Sequence, residues 1–164
     1  MLNMTDSLLL IPQEQLTLAN AHESAELQRY RRLALSFLPK APQVSRLMAS
    51  LGLQCEQRLG TLRRIAARLE LEACVGAPPM DTPSFELTHR HFFVADDGMA
   101  GQLLDQAIFA AVESKRFFAW LLETNATPEL HQAFIDFVTE KEAESRVLLE
   151  FREHQWAPVA LRHA

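Results

Sequence analysis

The sequence predicts an all-α protein: a four-helix bundle of two antiparallel hairpins joined by a long crossover. Three observations carry this. The chain has 164 residues and is 48% hydrophobic, enough for one domain with its own core (1–164) and no need of a disulfide or structural metal for stability. Five glycines and eight prolines leave four long segments without breakers, rich in Leu, Ala, Glu, Gln and Arg. Each of those segments is apolar at helical spacing.

The first helix is expected over about 13–38, with Leu16, Ala19, Leu27, Tyr30, Ala34 and Phe37 on its inner stripe, and it stops before Pro39. The second runs over about 42–73 on Met48, Gly52, Leu59, Leu62, Ala66 and Leu69, up to Gly76 and Pro78. The third covers about 98–124, with the stripe Leu103, Phe109, Ala110, Phe117, Trp120 and Leu121. The fourth covers about 128–156 on Leu130, Phe134, Phe137, Leu148 and Phe151, opened by Thr127-Pro128 as a cap with proline in the first helical position. Short connections make helices 1–2 and 3–4 antiparallel hairpins, whereas the crossover over about 74–97 is long enough to travel the bundle and set helices 2 and 3 parallel.

No run of apolar residues is long enough to span a membrane, and the first twelve residues lack the basic start of a signal peptide. The expected location is the cytoplasm, with no membrane partner. Cys55 and Cys74 lie about 28 Å apart on a continuous helix and are expected as free structural thiols. The net charge of -5 is unevenly spread: residues 29–68 hold nine basic side chains and one acid, Glu56. Few aromatics interleave with these arginines, so salt-linked helices or a dimer contact are expected there in place of a nucleic-acid surface.

Each apolar stripe is interrupted by a glutamate near mid-helix. Glu23 lies between Ala19 and Leu27, Glu56 between Gly52 and Gly60, Glu113 between Phe109 and Phe117, and Glu144 on the seam of Phe137, Lys141 and Leu148. Four inward carboxylates at one level repel one another and need cations or protons. A pair of divalent metals is one solution in four-helix bundles. The other is a metal-free core in which Lys141, one turn from Glu144, supplies an ion pair, with Arg58 or Lys115 bending inward to neutralise the rest.

At these residues the chain resembles the rubrerythrin-like branch of the ferritin-like superfamily. The segment from Glu23 to Tyr30 looks like that family's first-helix signature, Glu56 falls where its second ligand would, and Glu113 and Glu144 look like the matching pair of the second hairpin. The resemblance implies a di-iron site held by Glu23, Glu56, Glu113 and Glu144, although a carboxylate-only ligand set would suit a Mn or Mg pair better. It further implies oxygen- or peroxide-linked oxidoreductase chemistry, an external electron donor and a homodimer. The departure is that both Glu-x-x-His histidines are replaced, by Leu59 and Val147. Two readings therefore stand: a carboxylate-rich di-metal protein, and a metal-free ferritin-like bundle serving as an interaction or scaffold protein.

Overall fold

The computed structural model describes residues 8–76 and 93–155. Helices α1 (Pro12–Phe37), α2 (Pro42–Arg68), α3 (Asp97–Glu123) and α4 (Pro128–Gln155) form a four-helix bundle, and a short 3-10 turn, Glu72–Val75, follows α2. The expected all-α class is observed, and no strand occurs among the described residues. No described helix is long and apolar enough to cross a membrane. His89, His91 and most of the crossover, like the tail from Trp156, lie outside the described residues.

The helix ends follow local chemistry. Prolines 12 and 42 occupy the first turns of α1 and α2, where the missing N–H costs nothing. Asp96 caps α3 by accepting the Met99 N–H at 2.8 Å. Asn125 holds the turn into α4, accepting from the Thr127 N–H at 3.0 Å and donating to its carbonyl at 2.9 Å.

The second helix ends at Arg68, earlier than the expected Ala73. Leu71 N–H reaches the Ala66 carbonyl at 2.8 Å and Glu70 N–H the Ala67 carbonyl at 3.2 Å, the paired bonds of a Schellman stop. The left-handed position of that stop is filled by Glu70, φ 57°, where glycine is usual. No sequence signal marked it. The 3-10 turn then folds back to bury Val75 against α1 and α2.

Cross-helix contacts fix the directions. Gln15, near the start of α1, donates to the Leu121 carbonyl near the end of α3 at 2.8 Å. Val94, just ahead of α3, donates to the Ser36 carbonyl at the end of α1 at 3.0 Å. Helix α3 is therefore antiparallel to α1 and parallel to α2, as the long crossover suggested.

The apolar core is divided in two. One cluster gathers Tyr30, Phe37, Met48, Leu51, Leu104 and Leu148. The other gathers Leu16, Leu62, Ile65, Phe118, Phe134 and Phe137. Along each helix the residues between these clusters are polar: Glu23 and Glu26 on α1, Arg58 on α2, Ser114 on α3, Lys141 and Glu144 on α4. A charged layer thus crosses the middle of the bundle.

Candidate functional site

The layer is centred on Arg58, which helical spacing from Leu51, Cys55 and Leu62 puts on the inner face of α2. Its side chain is 2% exposed. A guanidinium is almost never this buried unless every N–H finds an acceptor. Here Nε donates to Glu23 Oε2 at 2.9 Å, Nη1 to Glu140 Oε2 at 2.9 Å, and Nη2 to Glu144 Oε1. The Cys55 sulfur lies 3.5 Å from Nη2. One arginine therefore ties α2 to both α1 and α4.

Lys141 completes the balance from α4. Its Nζ lies 2.7 Å from Glu23 Oε1 and 3.6 Å from Glu144 Oε2, and all three side chains are buried. The close approach to Glu23 is an ion pair off the hydrogen-bonding line, and neither atom has a hydrogen-bond partner among the described residues. Glu144 also accepts from the Tyr30 hydroxyl at 3.1 Å. Two buried cations meet two buried carboxylates, and half-exposed Glu140 closes the solvent side.

The electrostatics follow from this packing. Burial opposes ionisation of Glu23, but Lys141 and Arg58 outweigh it and hold the carboxyl below the usual range. Burial also opposes the charge on Arg58, yet Glu23 and Glu144 more than compensate and raise its affinity for the proton. Tyr30 is pushed well above the phenol range by burial and by the charge of Glu144. Burial next to Glu23 raises the Cys55 thiol to about 12, so thiolate is scarce at neutral pH. Beside the layer, His22 stacks on Phe117 with ring centroids 4.2 Å apart and shares a 2.6 Å hydrogen bond with Ser114. Burial lowers its pKa and favours the neutral ring.

Of the four glutamates singled out by the sequence, Glu23 and Glu144 lie together in the core and the other two do not. Glu56 is on the outer side of α2, its side chain 44% exposed and paired with Arg31. Glu113 is similarly open on α3 and paired with Arg116. The expected inward orientation of these two is therefore corrected. In α3 the run Ala107-Ile108-Phe109-Ala110-Ala111-Val112 is apolar on every side, so periodicity does not fix its phase. The buried stripe is Ala100, Leu104, Ala107, Ala111, Ser114, Phe118 and Leu121, which leaves Phe109 67% exposed and carries Glu113 outward with it. On α2 the small residues Gly52 and Gly60 suggested an inward Glu56, whereas the buried face runs through Cys55, Arg58 and Leu59.

Arg58 is the residue that the stripe pattern missed, because an arginine is read as a surface residue by default. Its spacing from Leu51, Cys55 and Leu62 is the signal that places it inward. Lys115, the third candidate cation, stays at the surface with Glu142 and holds that carboxyl below its ordinary pKa.

The arrangement does not fit a pair of divalent metals. Glu56 and Glu113 point away, Leu59 and Val147 stand in the imidazole positions, and the oxygens of Glu23 and Glu144 face Arg58, Lys141 and Tyr30. Among the described residues, no three His, Cys, Asp or Glu side chains are grouped to hold a metal ion.

No family model, curated protein or solved structure matches the chain.

Proposed function

We propose that the chain is a metal-independent bundle of ferritin-like topology that serves as an interaction or scaffold protein, with Arg58 and Lys141 supplying the positive charge that a di-metal centre would otherwise bring. The observation that carries this reading is the engagement of the Arg58 guanidinium with Glu23, Glu140 and Glu144. The parallel course of α2 and α3 across a long crossover supports the topology.

The chemistry of the layer supports a role without catalysis. Cys55 and Tyr30 are held protonated at neutral pH, and each core carboxylate is already committed to a cation. A group that must accept a proton or attack a substrate needs a pKa tuned toward neutrality and an open approach. Cys55 and Tyr30 have neither, being buried with their pKa values raised.

Elemental analysis of protein purified without a chelating tag, followed by anaerobic iron(II) addition and then air, tests the reading. The expected result is no stoichiometric metal, no oxo-bridge absorption in the near ultraviolet and no thermal stabilisation. Two equivalents of bound metal, lost in Glu23→Gln and Glu144→Gln, would overturn it and favour the di-metal reading.

A further inference from the structure

The outer edge of the charged layer opens into a groove of 710 Å3 between α2 and α4, with Leu53, Gln57 and Arg64 on one wall and Phe137 and Glu140 on the other. Leu53 stands 60% exposed on its rim. Towards the end of α2 the two walls carry opposite charge, while Glu56, also on the α2 wall, is paired with Arg31. Arg64 and Arg68 are one turn apart on α2, both exposed, and neither has an acidic partner among the described residues. Glu129 and Asp136 lie on the groove side of α4, in line with Glu140 by helical spacing, and neither has a basic partner there.

Such a face is complementary to itself. The Arg58–Glu140 bond sets the register of the antiparallel pair α2 and α4, so Arg64 stands at the height of Asp136 and Arg68 at that of Glu129. A twofold axis parallel to the helices exchanges the two ridges and preserves height. It brings Arg64 of one copy opposite Asp136 of the second, with Leu53 about 16 Å further along α2, beyond the level of Arg58. Helices of 27 and 28 residues are about 40 Å long, and two ridges about 10 Å apart present a strip of roughly 400 Å2, the scale of a weak, salt-sensitive contact.

We infer that the α2–α4 groove is the surface through which two copies of this chain pair, the basic ridge of each meeting the acidic ridge of the other. The inference names a partner for the interaction reading. Metal analysis tests that reading separately, so the failure of either is recognised by itself.

Two charge-reversed variants test the pairing by analytical ultracentrifugation, with circular dichroism confirming that each is folded. The wild type is expected to be a dimer that weakens with added salt. Arg64→Glu with Arg68→Glu makes both ridges acidic, and Glu129→Lys with Asp136→Lys makes both basic, so each variant alone dissociates at least tenfold more readily. Mixed in equal amounts, the two variants are expected to pair with each other and recover the dimer mass. A monomeric wild type overturns the inference. So does a dimer indifferent to both charge reversals, which places the contact elsewhere, and so does a mixture of folded variants that stays monomeric.

Discussion

In the middle of the bundle Arg58 Nε donates to Glu23 Oε2 at 2.9 Å, and both side chains are shut off from solvent. Two long charged side chains from adjacent helices meet here only if both helices keep one register. Burying the pair costs several kcal/mol per ion in lost hydration, offset by the further contacts of Arg58 with Glu140 and Glu144 and of Lys141 with Glu23. The layer thereby ties α1, α2 and α4 together between the two apolar clusters.

Acid is expected to weaken the bundle in two stages. The pKa of His22 is lowered in the fold, so the unfolded chain takes up its proton first, and stability falls as pH drops below about 6.5. Glu23 is also lowered, so its contribution is complete above about 4.5 and is lost as pH falls through its folded value. Urea unfolding across this range checks both. His22→Gln should flatten the limb just below pH 6.5, and Glu23→Gln the limb below 4.5.

The two cysteines should differ in reactivity. Cys55 is fully buried with its thiol raised to about 12, whereas Cys74 is partly exposed. Alkylation of native protein at pH 8, followed by peptide mass analysis, is expected to modify Cys74 and spare Cys55, with both reacting in denaturant. Equal native labelling would contradict the burial of the layer.

Glu70 occupies a left-handed conformation, φ 57°, at a cost of roughly 1–2 kcal/mol for a side chain with a Cβ. Part of that returns on substitution as the greater freedom of glycine in the unfolded chain. Glu70→Gly is expected to stabilise the bundle by about 0.5–1 kcal/mol, raising Tm by about 2 °C.

The surface glutamates give the opposite control. Glu56 and Glu113 make exposed pairs with Arg31 and Arg116, and such pairs contribute about 0–1 kcal/mol. Glu56→Gln and Glu113→Gln should leave the unfolding midpoint nearly unchanged, whereas Glu144→Gln lowers it. Comparable losses at all four glutamates would contradict the placement described here.

The architecture was largely legible because proline and glycine placement marks ends independently of side-chain packing, as at Pro42 and Pro128. The core glutamates were half legible. Glu23 and Glu144 sit on stripes with one clear polar side, so their phase is fixed by periodicity. Glu113 does not, since the run Ala107–Val112 just ahead of it is apolar all round and the buried face passes through the small residues Ala107, Ala111 and Ser114. The sequence offers Arg58 and Lys115 as alternative inward cations, and only the spacing of Arg58 from Cys55 and Leu62 separates the two. The stop at Glu70 had no local signal, because it sets an unfavourable residue in a conformation that tertiary packing of the following turn enforces.

The central claim is that Arg58 is a cation the core requires, and the most direct measurement is the unfolding free energy of Arg58→Met beside a variant in which the whole network is made apolar. Removing Arg58 alone strands Glu23 and Glu144 with Lys141 as their single buried cation. The expected loss is about 3–5 kcal/mol, or a Tm lower by about 10 °C. Replacing Glu23, Arg58, Lys141 and Glu144 together by methionine, with Tyr30→Phe, removes the charges in concert and is expected to recover stability to within about 1 kcal/mol of the wild type or above it. An Arg58→Met protein as stable as the wild type would contradict the account.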